Sequence, residues 1–268
     1  MGQAMELLTF NDTDAPAAFA AMTNNTGNSN IVRNASGASK VQLLTAWGMA
    51  TGQAINVRIR SPLMHDNQQG LRFLLQVAQP FVLLDPKFPE DLFPQDTLLI
   101  EDQSIVADAG TNVHVFSMLV YYQDLPGIAA NLVSPDYVGS KTVHKMTGEN
   151  TIATTATGDY GGEEAITAEL NQFKANTYYA LVGFLVDVFV ATVRWRGVDT
   201  GNLGVGGPGS ADDPFFTQNF FVWLSERSGK PCIPAFNSAN AAAVLIDMCQ
   251  DEAGANPICT QIFHQLRN

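Results

Sequence analysis

The sequence predicts an all-β chain with few short helices, folded as two tandem β-sandwich domains that arose by internal duplication. Three observations carry this. Several segments alternate apolar and polar residues with the period of two that a half-buried strand requires; the clearest sets Ile55, Val57 and Ile59 against Asn56, Arg58 and Arg60. Hydrophobic residues make up 46% of the 268 positions and charged residues only 15%, so the chain can fill a core but has little charge to spread over its surface. The third observation is a set of short elements that recurs in the same order in both halves.

Residues 1–40 are rich in Asn, Ala, Ser, Thr and Gly and read as an N-terminal arm. A short helix is expected around Asp14 to Met22, and the polar run Asn24 to Asn30 reads as loop. Residues 41–125 form the first expected β-barrel. Val41 to Pro62 reads as two strands about a turn at Thr51-Gly52, followed by an apolar stretch from Leu71 to Leu84. A proline-punctuated acidic loop covers 85–96, and strands are expected at Thr97 to Ile100 and Asn112 to Tyr122.

Residues 126–176, thick with Gly, Thr, Ser and Ala, read as a linker containing GDYGG and a short helix from Glu163 to Phe173. Residues 177–268 form the second expected barrel. It opens on the longest apolar run, Tyr178 to Val193, which is short for a bilayer span of about 20 residues. That run carries Asp187 and many β-branched residues, so buried strands are expected and a transmembrane segment is not. An inserted loop or helix is expected near 204–229. There Asp213 would cap, Pro214 would take the first helical position and Gly229 would follow the end. Phe216, Phe220, Trp223 and Leu224 fall on one face at helical spacing.

The duplication rests on four matches in register. Gly48 and Gly183 each interrupt an apolar run, and a Val-Arg-apolar-Arg tetrad follows in each half, Val57 to Arg60 and Val193 to Arg196. LLIED at Leu98 to Asp102 matches VLIDM at Val244 to Met248, and AGTN at Ala109 to Asn112 matches AGAN at Ala253 to Asn256. The offset is about 135 positions early and about 145 late, which places extra chain in the second half; the repeat is far too long for a solenoid, so the unit is a domain.

Charge and motifs exclude more than they assign. A formal net charge of −12, with only Arg33 and Lys40 basic among the first 57 residues, argues against direct nucleic-acid binding. Cys232, Cys249 and Cys259 lack metal or disulfide spacing and read as small apolar fillers. His65, His114, His144 and His264 have no partner at helical spacing, so no metal site is expected, and His65 with Asp66 reads as a hydrogen-bonded turn. The acidic loop holding Asp85, Glu90, Asp91 and Asp96 lacks the spacing of a calcium loop. GVGGPG, Gly204 to Gly209, lacks the Lys-Ser/Thr of a phosphate loop and reads as a flexible turn. No nucleophile elbow or His/carboxylate cluster stands out, so neither an enzyme nor a cofactor is expected. The N-terminus shows no secretory signal. The residues that attract attention are Arg58, Arg60, Arg194 and Arg196. Alternate residues of a strand share a face, so each pair sends two guanidiniums to one side, as a repeated contact to carboxylates within or between subunits would require.

Taken with the recurring VRIR/VRWR, LIE/LID and AGTN/AGAN elements, the layout resembles that of double jelly-roll major capsid proteins of tailless viruses. The resemblance covers Val41 to Leu125 and Thr177 to Leu266. It implies eight-stranded barrels in each half, oligomeric capsomers and an icosahedral shell without chemistry. The partners would be further copies of the chain and other shell proteins, and the location a virion assembled in the host cytoplasm. The alternative is a non-catalytic two-domain ligand-binding module, lectin- or cupin-like, with equivalent pockets in both halves.

Overall fold

The computed structural model describes residues 2–13, 16–34, 40–77, 80–104, 112–128, 130–153, 158–167, 172–186, 190–209, 214–250 and 256–267. The first half holds β1 (Gly2–Thr13), β2 (Ala20–Ala21), β3 (Thr23–Asn24), β4 (Val41–Ala50) and β5 (Ile55–Arg60). It continues with β6 (Leu71–Leu75), β7 (Phe81–Val82), β8 (Glu90–Leu92), β9 (Leu99–Ser104) and β10 (Val113–Leu125). The second half holds β11 (Leu132–Val133), helix α1 (Pro135–Lys141), β12 (Thr142–Thr151), β13 (Glu164–Ala165), β14 (Tyr178–Val186) and β15 (Val190–Arg196). After β16 (Val205–Pro208) come α2 (Pro214–Gln218), α3 (Phe220–Ser228), β17 (Ile233–Asn237), a 3₁₀ turn (Ser238–Ala243), β18 (Leu245–Gln250) and β19 (Ile258–Leu266).

The strand order repeats. In the first half one sheet runs β3-β1-β10-β4-β7, with β8 also on β4, and faces a second sheet β2-β9-β5-β6. In the second half one sheet runs β12-β19-β14-β17-β11 and faces β13-β18-β15-β16. Matching β1 to β12, β4 to β14, β5 to β15, β9 to β18 and β10 to β19 makes the two orders the same. Each half is therefore an antiparallel β-sandwich, with ten strands in the first and nine in the second among the described residues, its chain passing repeatedly between two facing sheets rather than in the eight-stranded barrels expected. The matched tetrads lie on β5 and β15, and the LIE/LID elements on β9 and β18.

The difference between the halves lies mostly between β16 and β17, where α2 and α3 are inserted. Gly229 ends α3 in the left-handed conformation, at φ 67°, as the sequence predicts. Phe220, Phe221 and Leu224 are buried. Asp213 lies outside the described residues. The equivalent glycines take different neighbours. A Cβ on Gly48 would meet the Val115 carbonyl oxygen at 2.6 Å, whereas one on Gly183 would collide with the Thr217 carbonyl, where α2 presses onto β14.

Several expectations need correction. Residues 1–40 are not simply an arm: β1 pairs along β10 from Gly2↔Leu125 to Thr13↔Val113, and Ala4 to Phe10 are all buried. In place of the expected helix from Asp14 to Met22, Ala20–Ala21 pairs with β9; Asp14 and Ala15 lie outside the described residues. Residues 126–176 are not a plain linker, because β12 supplies a full strand of the second sandwich, paired with β19. The helix expected from Glu163 to Phe173 is replaced at its start by Glu164–Ala165 on β18; residues 168–171 lie outside the described residues. Among the described residues no helix is long and apolar enough to cross a membrane, and the run Tyr178 to Val193 contributes to strands β14 and β15.

The halves share a core. Leu8, Leu43, Val57, Ile59, Ile100 and Phe116 fill the first sandwich. Met5, Leu7, Trp47, Leu119 and Tyr121 project from the opposite face of β1, β4 and β10 and join the second cluster, beside Val193, Phe220 and Met248. Strands β4 and β10 are thus buried on both faces, which explains why they lack alternation in the sequence.

Candidate functional site

The repeated arginines find repeated partners. Arg58 stands opposite Glu101 in the β5/β9 ladder, and Arg194 stands opposite Asp247 in β15/β18. In the first half Glu101 Oε2 accepts from Arg58 Nε at 2.7 Å and Arg60 Nε at 2.6 Å, and Oε1 accepts from Arg60 Nη2 at 3.0 Å. The Arg60 bond, reinforced by Arg58 against the cost of burial, holds the Glu101 carboxyl below the usual range. In the second half Arg194 grips both oxygens of Asp247, Nε to Oδ1 at 2.9 Å, and donates through Nη1 to the Thr26 carbonyl at 2.7 Å. Arg196 pairs with Glu163. Burial keeps Asp247 above the ordinary carboxylate range, with the Arg194 bonds opposing that shift.

The surroundings of the two copies differ. The outer face of the β15/β18 sheet is covered by the first sandwich. Trp47 Nε1 donates to Thr192 Oγ1 at 3.0 Å, the Thr192 and Ser117 hydroxyls lie 2.6 Å apart, and Ser117 meets Thr9 at 2.9 Å. Thr9 in turn meets the Tyr160 hydroxyl at 2.8 Å, and the Arg194 guanidinium lies 4.0 Å over the Tyr160 ring. Burial pushes the Tyr160 phenol well above its ordinary value, so this hydroxyl chain stays neutral. The run Asn24 to Asn30, read as loop, is packed into this junction: Asn28 Nδ2 donates to the Leu7 and Leu203 carbonyls, and Asn25 Nδ2 to that of Gly158. On the corresponding face Phe19 lies with its ring 4.0 Å from the Arg58 guanidinium, and the Gln68 carbonyl accepts from Arg58 Nη1 at 3.2 Å; the Arg58 side chain is 14% exposed.

The remaining sequence candidates disperse. Asp66 accepts from the Gln68 and Gln69 amides at 3.1 and 2.8 Å, the expected turn, and His65 is exposed. The loop acids separate: Asp85 pairs with Arg227, Asp91 with Lys40 and Gln42, and Asp96 with Ser61. Gly204 to Gly209 is not a flexible turn. Val205–Pro208 is an edge strand; a side chain on Gly206 would strike Leu7 of the first half and one on Gly207 would strike Phe220 of α3, so glycine permits the close approach on both sides of the strand. All three cysteines are buried and none forms a disulfide, as fillers should be; burial pushes the Cys232 thiol up to about 12. Among the described residues no group of three His, Cys, Asp or Glu gathers.

Two buried polar clusters escaped sequence reasoning. His114 Nδ1 lies 3.2 Å from Asp102 Oδ2, both side chains fully buried. Glu6, 1% exposed, is held by Arg33 at 2.8 Å and by the Tyr122 hydroxyl at 2.7 Å. Glu6 interrupts the apolar run MELLTF at a core position, and that was the available signal.

No family model matches the chain, and no curated protein is similar to it in sequence. Among solved structures it is similar to the PBSX exported protein XepA, at 12% identity over 97% of this chain and 86% of that one, with a TM-score of 0.26. YhaK from Escherichia coli gives 8% identity, 99% and 87% coverage and a TM-score of 0.24. The T=1 Penaeus vannamei nodavirus gives 10% identity, 99% and 98% coverage and a TM-score of 0.23. Scores at this level carry no functional argument.

Proposed function

We propose that this chain is a non-catalytic, self-assembling structural protein, a viral major capsid protein whose copies build an icosahedral shell. The observation that carries the reading is the way its volume is used. Both sandwich interiors are filled by apolar side chains, and the two sandwiches are joined through a third buried layer, which makes a stiff building block. The charge-poor surface leaves large apolar side chains in water: Phe215 is 73% exposed, Phe88 69% and Val198 56%. Partners on this reading are further copies and other shell proteins within a virion assembled in the host cytoplasm. The net charge of −12 disfavours direct contact with a genome.

A lectin- or cupin-like module would place equivalent pockets in both halves. The groove between α1 and α3, about 560 Å³ and lined by Tyr137, Glu226 and Lys230, belongs to the second half alone. Among the described residues the first half has no helix to build its counterpart. Negative-stain microscopy of the purified chain across a concentration series tests the proposal. Regular closed particles or capsomers are expected; dispersed monomers that melt higher with added sugars or small acids would favour the binding module.

A further inference from the structure

The two copies of the arginine motif differ in charge balance as well as in cover. In the covered copy Arg194 and Arg196 meet two carboxylates, Asp247 and Glu163. In the first-half copy Arg58 and Arg60 share one, Glu101, with Arg58 14% and Arg60 34% exposed. A third arginine joins them there: Arg72 of edge strand β6 stands directly opposite Arg58 in the ladder, and Phe19 lies against both guanidiniums, 4.0 and 5.3 Å from its ring centre. Like charges directly opposite one another destabilise a sheet. Among the described residues, three cations against one anion on one face is also contrary to a chain of net charge −12. Beside this excess Leu74 of β6 is 43% exposed.

We infer that this face is an assembly surface, and that it takes the acidic, phenylalanine-bearing loop of a second copy of the chain; the inference rests on the self-assembly reading above. Charge complementarity selects the occupant. The loop around β8 exposes Glu90 and Asp91, and on either side Phe88 is 69% and Phe93 48% exposed. Glu90 supplies a carboxylate that the face lacks, Asp91 being held by Lys40 and Gln42, and the loop adds apolar rings to set against Leu74 and the arginine stems. Loop and face belong to different sheets, since β8 extends from β4 and the arginines lie on β5 and β6. The contact therefore joins two different patches of the chain, and can either close a two-fold pair or repeat from copy to copy around a ring or shell.

Charge exchange on the full chain tests the inference, read by sedimentation velocity at an ionic strength of about 0.15 M, where long-range repulsion is screened. Arg72→Glu and Glu90→Arg are each expected to weaken self-association about tenfold or more, and the double variant to recover most of it. Both positions are exposed, and far-ultraviolet circular dichroism checks that each variant folds. If the unaltered chain assembles and the single variants assemble equally well, this surface is wrong while the self-assembly reading stands. Weakening by Arg72→Glu without recovery in the double variant overturns the loop as occupant. An unaltered chain that stays monomeric at every concentration overturns both.

Discussion

Glu101 and Asp247 occupy the same place in two copies of one motif, yet their environments set them opposite tasks. Glu101 has a pKa below its unfolded value, so the unfolded chain binds its proton first as pH falls. Its contribution is complete above the unfolded value of about 4.3 and is lost as pH drops through the folded one. Glu101→Gln is expected to flatten the acid limb of the melting-temperature profile below about pH 4, measured by differential scanning fluorimetry. Asp247 is held high by burial even with Arg194 beside it. Arg194→Met would strand a buried carboxylate, at a cost of about 3–5 kcal/mol near neutrality. Because Asp247 then takes up a proton as pH falls, the loss should be smaller at pH 5 than at pH 7.5 in urea titrations. Arg227→Ala, which frees the exposed Asp85, should leave the urea midpoint near its original value. The arginines were legible because they alternate with apolar residues and recur. Their partners were half legible, since the LIE/LID matches were visible but the pairing of β5 with β9 is decided by the sheet.

At the scale of elements, legibility followed the source of each element's stability. Strand β5, half-buried and alternating, could be read from period alone. Strand β1 could not: its apolar stretch is broken by Glu6, whose burial depends on Arg33 and Tyr122, 27 and 116 residues away. The edge strand β16 was hidden by its glycines, which ordinarily mark turns and here make room for Leu7 and Phe220. α3 was legible by its apolar face and Gly229. It should be costly to loosen: Leu224→Ala removes a fully buried side chain and is expected to cost about 2–5 kcal/mol by urea unfolding.

At the scale of the molecule, the duplication has lost its symmetry. One sheet of the first sandwich lies against the arginine-bearing sheet of the second, whereas on the equivalent sheet of the first Arg58 is nearly buried while Arg60 and Arg72 reach water. Because Trp47, Leu7 and Leu119 belong to the second core as much as to their own strands, the halves should not unfold separately. A single calorimetric transition is expected, with calorimetric and van't Hoff enthalpies equal. Trp47→Ala should lower it as a whole, by about 3–5 kcal/mol, rather than split off one domain.

The central claim, that this molecule is made to join copies of itself, is tested most directly by light-scattering mass of the purified full chain over a wide range of protein concentration. The account predicts a mass that climbs from the 28.9 kDa of one chain to a discrete multiple and onward to closed particles. A mass that stays at one chain throughout would contradict it.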